Sequence, residues 1–299
     1  MSTKLDVPVT LIFFNRPDTL EKVFEAVREA RPEKLYLVCD GPRADRPDDI
    51  GKVIACRQLA ENVDWPCKVE KIYAAANMGC KERVHTGISA VLEKEECTII
   101  LEDDVVPVPD FFTYCRDMLE AYKNDRRVMM ISGTNLVRDH KINGPYCFSC
   151  FSSIWGWATW RRAWSLYDPD VTDWPEIDRS GSFRGIYGSS YFYAKRDIMS
   201  VYTKKKDTWD IQWDYCRHKN RGLGIVPAVN LIENIGFDRE DATHTKWSSS
   251  EDFSRGSMEF PLPVIKSVKR DTDYDRAYIR KYYGVNKAIA FIKKRLGKK

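Results

Sequence analysis

The first hundred residues alternate between short apolar runs and segments with helical periodicity. Four runs rich in β-branched, aromatic and leucine residues are typical of strands: VPVTLIFFN (7–15), KLYLVCDG (34–41), CKVEKIYA (67–74) and CTIILEDD (97–104). Apolar residues then recur at helical spacing after the first run (Leu20, Val23, Phe24, Val27) and after the third (Val84, Ile88, Val91, Leu92). Strands that alternate with helices predict a largely parallel sheet with helices on both faces.

Polar residues follow three of the predicted strands at the point where each strand ends. Asn15 follows the first strand, Asp40 the second, and Glu102, Asp103 and Asp104 the fourth. In sheets of this kind, ligands bind outside the carboxyl ends of the strands. The pattern therefore predicts a ligand crevice at this edge, with the acidic cluster inside it.

The chain after residue 106 differs in composition from the first hundred residues. Residues 107–262 are rich in tryptophan and turns, and we expect them to complete the same domain as residues 1–106, giving one domain over 1–262. Residues 263–299 form a charged, basic tail, which we expect to be helical. The tail's end has an apolar face beside basic residues. This pattern favours either contact with an anionic membrane surface or an ordinary solvated helix.

Composition limits the function classes. The chain has 299 residues, 43% hydrophobic and 31% charged, and this is typical of a globular protein. A formal net charge of +4 and dispersed basic residues argue against a nucleic-acid partner. The sequence predicts neither a signal peptide nor a membrane span. The nine cysteines are therefore expected to be free thiols in a cytoplasmic protein, and the CxxC pair Cys147 and Cys150 lacks further zinc ligands at a matching spacing.

Adjacent carboxylates at a strand end repel one another unless a cation or hydrogen bonds compensate them. Hard oxygen ligands suit Mg²⁺ or Mn²⁺, which proteins commonly hold with one or two carboxylates plus substrate phosphates. A metal-bridged diphosphate would explain the acidic residues 102–104. The alternative is a solvated turn whose acids cap the helix predicted at residues 109–122.

Four segments resemble glycosyltransferases of the GT-A fold, which use nucleotide-sugar donors. The segment LEDDVVPVPDFF (101–112) is similar to the acidic motif of the N-acetylglucosaminyltransferase I family, and 8–24 and 35–43 are similar to that fold's nucleotide-binding strands. The segment 209–245, which begins WDIQW and ends in NIGFDREDATHT, resembles bacterial nucleotide-diphospho-sugar transferases. The resemblance implies a GT-A fold, with a Rossmann-like mixed, mostly parallel sheet flanked by helices in a single domain.

The resemblance also implies roles for residues of the donor site. Asp104 matches the acid that binds Mn²⁺, which this motif does not distinguish from Mg²⁺, and Glu102 and Asp103 match acids that line the ribose and the donor sugar. Four further residues are implied in nucleotide binding: Asp40 near the base and ribose, Asn15 and Arg16 on the loop that the uracil and diphosphate approach, and Arg83, which is either a diphosphate contact or a surface residue.

Inverting transfer requires a base on the other side of the sugar from the metal. Asp210 and Asp214 lie four residues apart, near one face of a predicted helix. Asp210 follows Trp209 at the expected start of that helix, where the resemblance places the base, although an N-cap carboxylate would occupy the same position. Asp214 is expected to be a helix-face residue.

Two further residues are candidates for the site. His244, in DATHT, is a candidate metal or diphosphate ligand because late histidines act so in many GT-A enzymes, although a lone loop histidine is usually structural or solvated. Trp157, in SSIWGWATWRRAW, is the candidate for stacking on an acceptor sugar. The alternative for Trp157 is a place in the core.

The sequence therefore predicts a metal-dependent, inverting glycosyltransferase. It would move a sugar from a nucleotide-diphosphate donor, expected to be a UDP-sugar, to a glycan or lipid-linked glycan at the inner face of a membrane. A sugar-phosphate nucleotidyltransferase is the second enzyme class. Its glycine-rich, basic phosphate loop is missing from NRPDTL (15–20). The third class is a non-catalytic carbohydrate-binding protein, which would leave the acidic cluster and Asp210 without a purpose.

Overall fold

Ten strands and ten α-helices make up the part of the chain that the computed structural model describes, residues 5–237 and 255–283. The strands are β1 (Val9–Phe13), β2 (Lys34–Cys39), β3 (Lys68–Tyr73), β4 (Cys97–Glu102), β5 (Val105–Pro107), β6 (Val128–Ser132), β7 (Tyr146–Ser149), β8 (Trp157–Trp160), β9 (Leu223–Pro227) and β10 (Ile232–Asn234). The helices are α1 (Pro17–Ala30), α2 (Asp48–Glu61), α3 (Cys80–Lys94), α4 (Pro109–Ala121), α5 (Arg161–Trp164), α6 (Trp174–Ser180), α7 (Ser182–Tyr187), α8 (Tyr191–Tyr202), α9 (Asp210–Lys219) and α10 (Thr272–Tyr283).

Eight of these strands form one sheet in the order β3-β2-β1-β4-β8-β6-β9-β7. Parallel pairing joins β3 to β2, β2 to β1, β1 to β4, and β6 to β9. Among the described strands of this sheet, β8 and β7 run against the other six. The predicted fold class, a mixed and mostly parallel sheet of GT-A type flanked by helices, is confirmed.

Alternate residues of β1 face two different clusters of apolar side chains. Leu11 and Phe13 pack with α1, α2 and α4 on one face of the sheet, whereas Ile12 packs with α3 on the other. All five residues of β1 are buried, because helices cover both faces of the sheet. The larger cluster also includes residues from β9 and α8, so both halves of residues 1–262 contribute to one core.

The segment 255–283 lies against this core. Tyr278 of α10 stacks on Phe151 with ring centroids 4.7 Å apart, and the Tyr282 hydroxyl donates to the Leu136 carbonyl at 2.9 Å. Tyr274 is 1% exposed. The described part of the basic tail is therefore packed on the fold, while residues 284–299 lie outside the described residues.

A two-stranded antiparallel ribbon stands apart from the main sheet and bears directly on the acidic cluster. It pairs β5 with β10, so that Val105, the residue after Asp104, lies opposite Asn234.

All nine cysteines lie in the described ranges and are free thiols, as predicted. Among the described helices, none is both long and apolar enough to cross a membrane.

Candidate functional site

The carboxyl ends of β1, β2 and β4 meet at one edge of the sheet, as the sequence pattern predicts. The Phe14 amide, just after β1, donates to Asp103 Oδ2 at 3.1 Å. Asp40 follows β2 and contacts the loop after β3, since its Oδ2 accepts from Asn77 Nδ2 at 2.9 Å. Parallel strands place these ends side by side, and this edge is the candidate site.

Arg16 bridges two of the three acidic residues. Its guanidinium lies 2.7 Å from Asp103 Oδ1 through Nη2 and 3.1 Å from Asp104 Oδ2 through Nη1. Asp103 is 3% exposed, so this cation compensates a carboxylate that water cannot reach well. Arg16 is thus a partner of the acidic cluster in this structure, and its place on the loop that the uracil and diphosphate approach stays a prediction.

Glu102 shows that one arginine does not balance this cluster. Burial and the charges of Asp104 and Asp103 raise the pKa of Glu102 to about 8, and Asp210 adds to the effect. Arg16 acts in the opposite direction and lowers the Glu102 pKa. The excess of negative charge favours binding of a further cation.

Asp104 is held against the ribbon of β5 and β10. Its carbonyl accepts from the Ile235 amide at 2.8 Å. A Cβ added to Gly236 would lie 2.2 Å from Asp104 Oδ2, closer than any real contact. Position 236 therefore requires glycine for the Asp104 carboxylate to keep its place.

Asn15 belongs to a polar network that the sequence did not reveal. Its Nδ2 donates to Asp49 Oδ1 at 2.7 Å, and the Arg43 guanidinium donates to both oxygens of Asp49 at 2.6 and 2.9 Å. Arg43 foremost, together with Asn15, lowers the pKa of Asp49 to about 2. This network ties α2 to the ends of β1 and β2, beside the candidate nucleotide site.

Asp40 organises the loop that leads into α3. Its Oδ1 accepts from the amides of Gly41 and Met78 at 2.8 and 2.9 Å, and its Oδ2 accepts from the Gly79 amide at 3.2 Å as well as from Asn77. Asp40 is 5% exposed. Its carboxylate shapes the rim of the crevice from within, and its predicted contact with base and ribose stays a prediction.

Arg83 lies in the first turn of α3 and is buried, not on the surface. Its Nη2 donates to Thr86 Oγ1 at 3.2 Å, while its Nε has no hydrogen-bond partner within the described ranges. The negative charge of Asp40 acts on it. Arg83 thus supports the same loop as Asp40, and its contact with a diphosphate stays a prediction.

Asp210 is the first residue of α9, as predicted from the sequence, with Trp209 at the N-cap. The Thr208 hydroxyl donates to Asp210 Oδ1. The charge of Asp210 raises the pKa of Glu102, so the two carboxylates share one region. Asp214 forms an ion pair with the fully buried Arg217, which agrees with its expected place on the helix face.

A further carboxylate, that of Asp207, joins the loop before α9 to the start of α3, and sequence reasoning missed it. Its two oxygens accept from the amides of Cys80 and Lys81, each at 3.0 Å. These amides are the first of α3, where the helix dipole favours negative charge. The loop before α9 is thereby joined to the start of α3. A surface aspartate after three lysines gives no sequence signal for such a contact.

The prediction that Trp157 stacks on an acceptor sugar is wrong for this structure. Trp157 is 0% exposed and its ring stacks on Trp209, with centroids 5.5 Å apart and planes 18° apart. Trp164 and Trp213 pack against the same ring. Because β8 lies inside the sheet, both of its faces are covered, and no face of this indole is available to a ligand.

The acidic cluster offers carboxylate ligands for a divalent metal ion. Within residues 5–237 and 255–283, no group of three or more His, Cys, Asp or Glu residues is arranged to hold a metal ion. The crowded carboxylates of Glu102 and Asp104 nevertheless fit the one- or two-carboxylate mode, in which substrate phosphates complete the coordination. His244, the other predicted metal ligand, lies outside the described residues.

No protein-family model and no curated protein matches the chain. Among solved structures, a UDP-glucose pyrophosphorylase complexed with UDP-glucose aligns with a TM-score of 0.31 and 8% identity, covering 54% of this chain and 79% of that one. A mannose-1-phosphate geranyltransferase from Thermus thermophilus aligns with a TM-score of 0.37 and 10% identity, covering 76% of this chain and 75% of that one.

HddC from Yersinia pseudotuberculosis aligns with a TM-score of 0.31 and 9% identity, covering 52% of this chain and 77% of that one. At such scores the fold assignment depends on the strand order of this chain itself. The similarity to the N-acetylglucosaminyltransferase I family stays a prediction.

Proposed function

We propose that this chain is a nucleotide-sugar-dependent transferase, and more specifically an inverting glycosyltransferase. The observation that carries the proposal is the relation of Asp210 to the acidic cluster. Asp210 begins α9, and the loop before it is joined to the start of α3, where Asp207 accepts from the Cys80 and Lys81 amides. The adjacent Gly79 amide donates to Asp40, so α9 reaches the same edge of the sheet on an element separate from the acidic residues after β4. Transfer to an acceptor hydroxyl requires such a separation of tasks, with donor charge compensated on one side and a base on the other.

The donor half of the proposal uses the ends of β1, β2 and β4. Asn15, Arg16 and Asp40 border the place for the nucleotide, with Asp49 and Arg43 behind Asn15. Glu102 and Asp104 would hold Mn²⁺ or Mg²⁺. When bound, that ion would supply positive charge to stabilise the departing diphosphate.

The acceptor half of the proposal depends on Asp210. Its carboxylate would accept the proton of the acceptor hydroxyl as the oxygen forms a bond to the anomeric carbon. The bond from that carbon to the donor phosphate oxygen breaks, and the electron pair leaves with the nucleoside diphosphate. A glycan or lipid-linked glycan is the proposed acceptor. With Trp157 buried, no described aromatic residue is assigned to it.

A sugar-phosphate nucleotidyltransferase is the second candidate. The observation that favours it is the position of Arg16, a cation directly after β1, where such an enzyme needs positive charge near phosphate. Against it, α1 begins at Pro17 with no glycine-rich loop before it. It would also leave Asp210 without a catalytic task.

Calorimetric titration with UDP, GDP and CMP, each with and without Mn²⁺, tests the shared part of both candidates. Product analysis then separates them. Release of nucleoside diphosphate from a nucleotide sugar supports the glycosyltransferase, whereas formation of a nucleotide sugar and pyrophosphate from a sugar 1-phosphate and a nucleoside triphosphate supports the nucleotidyltransferase. A folded protein that binds no nucleotide would contradict both.

The Asp210→Asn variant tests the base directly. We expect native nucleotide affinity with transfer reduced at least about 100-fold, because general base catalysis contributes on that order. Asp197→Asn, on α8 and away from the site, is the matched control and should keep native turnover. Near-native turnover of Asp210→Asn would exclude Asp210 as the base.

A further inference from the structure

Arg16 occupies the position from which a cation would contact the acidic cluster. Its two terminal nitrogens contact Asp103 Oδ1 at 2.7 Å and Asp104 Oδ2 at 3.1 Å. The guanidinium therefore occupies one oxygen of each of these two carboxylates, and a metal ion would need the same carboxylates as ligands. A divalent ion and the guanidinium weaken each other's binding to the Asp104 carboxylate, because their positive charges repel at such close range.

We propose that Arg16 competes with the divalent cation for Asp104 and is released when the donor's diphosphate binds. This inference rests on the proposed function. The diphosphate offers Arg16 an alternative partner, since a guanidinium binds phosphate oxygens as well as carboxylates. Arg16 would then exchange Asp104 for the donor as the metal takes its place on the acid.

The surroundings of Arg16 allow this exchange without movement of the backbone. Asp103 keeps a hydrogen bond from the Phe14 amide at 3.1 Å whether or not Arg16 stays. The backbone carbonyl of Asp104 accepts from the Ile235 amide at 2.8 Å. The Arg16 side chain is 22% exposed, so part of it is accessible from outside, while Pro17 fixes the start of α1 after it.

Competition of this kind couples the two ligands. Metal alone binds weakly because it must displace Arg16, and a bound nucleoside diphosphate removes that cost. By linkage, the metal strengthens nucleotide binding by the same factor. Arg16 would thus balance the negative charge of the acidic cluster and keep the site free of metal until the donor binds.

Mn²⁺ binding without turnover tests the proposal. Binding of Mn²⁺ alone, followed by the electron paramagnetic resonance signal of free Mn²⁺, is compared in the native protein, Arg16→Met and the control Arg116→Met. Arg116 is a partly exposed cation on α4 whose partner is the neighbouring Asp117 and not the acidic cluster. We expect Arg16→Met to bind Mn²⁺ alone at least about ten-fold more tightly than the other two.

Repeating the titrations with UDP measures the coupling. Native protein and Arg116→Met should gain more Mn²⁺ affinity from UDP than Arg16→Met does. The UDP phosphates add to Mn²⁺ coordination in every variant, whereas release of Arg16 adds only where Arg16 is present. Unchanged or weaker Mn²⁺ affinity of Arg16→Met would overturn the proposal, as would the absence of Mn²⁺ binding in every variant. If Arg16→Met folds poorly, Arg16→Gln serves instead, since its neutral amide can donate a hydrogen bond to the acids without a competing charge. Its Mn²⁺ affinity should lie above native, and a native value would count against the proposal.

These outcomes separate the two ideas. A gain of Mn²⁺ affinity in Arg16→Met with no UDP binding by any variant would support the competition and contradict the proposed function. If UDP raises the Mn²⁺ affinity of Arg16→Met by the same factor as that of the native protein, the result would support the proposed function and contradict the competition.

Discussion

Asp49 illustrates how a single buried carboxylate supports the nucleotide edge without facing it. Its side chain is 3% exposed and takes hydrogen bonds from both Arg43 and Asn15. Since these donors hold the ionised form, the pKa of Asp49 falls to about 2 in the folded protein. The ordinary value for an unfolded aspartate is about 3.9.

A depressed pKa contributes stability above the unfolded pKa, and this contribution is lost as the pH falls through the folded pKa. We therefore expect Asp49→Asn to lower the free energy of unfolding at pH 7 by at most about 2.6 kcal/mol, with the difference from native shrinking between about pH 4 and pH 2. Urea unfolding at several pH values measures it. The neighbouring Asp48, which is exposed, gives the control Asp48→Asn; equal losses in both variants would contradict the role of Asp49.

Residues at strand ends could be predicted from the sequence, and those brought in by packing could not. Asn15, Asp40 and the acidic residues follow apolar runs directly, so the parallel sheet places them together. Asp49 and Asp207 meet the site only because α2 and the loop before α9 dock there. The prediction for Trp157 was wrong because no local sequence pattern distinguishes a central strand, covered on both faces, from a segment that borders a ligand site.

Helices α1 and α2 show the same limit at the scale of elements. The buried side of α1 follows helical spacing and could be predicted. The apolar residues of α2 are spread around its circumference: Val53 and Cys56 are buried while Ile50 and Ile54 are 54% and 49% exposed. Its periodicity is therefore too weak to predict a helix.

The contact between α3 and the loop before α9 is the link between the two halves of the site. Asp207 supplies it, three residues before Asp210, through the amides of Cys80 and Lys81. The start of α3 thus positions the segment that carries the proposed base. Since the Asp207 side chain is exposed, the link is open to exchange with water.

Asp207→Ala should free both elements. We expect faster amide hydrogen exchange in peptides covering 78–85 and 203–210, and a loss of about 1 kcal/mol in stability, comparable to loss of an N-cap carboxylate. Hydrogen-exchange mass spectrometry measures the first effect and thermal unfolding the second. Lys206→Ala, at the exposed neighbouring position, should match native protein; native exchange rates in Asp207→Ala would rule out the link.

At the scale of the whole molecule, the chain beyond residue 262 contributes to the core. Val268 and Tyr274 are 6% and 1% exposed, and the Ser149 hydroxyl donates to Asp275, which also pairs with Arg270. Segment 263–283 therefore covers β7 and its neighbours. The sequence prediction of one domain over 1–262 with a separate tail follows charge alone, and charge does not show these apolar contacts.

Shortened chains test this contribution. A chain ending after Leu262 should lose at least about 3 kcal/mol of stability relative to one ending after Tyr283, because it exposes several buried aromatic surfaces. Urea unfolding followed by circular dichroism measures both. Equal stability of the two would show that 263–283 is an independent tail. Sedimentation of the full and shortened chains with anionic vesicles tests membrane contact by residues 284–299.

The stacked indoles of Trp157 and Trp209 have an optical consequence. Two chromophores whose centroids lie 5.5 Å apart do not absorb ultraviolet light independently, and their coupled transitions give a circular dichroism signal that depends on their mutual angle. Trp209 precedes the proposed base directly, while Trp157 is fixed in the central sheet. Any tilt of the start of α9 relative to the sheet would change that signal, so the chain carries an unlabelled spectroscopic reporter on the motion of the helix that begins with the proposed base.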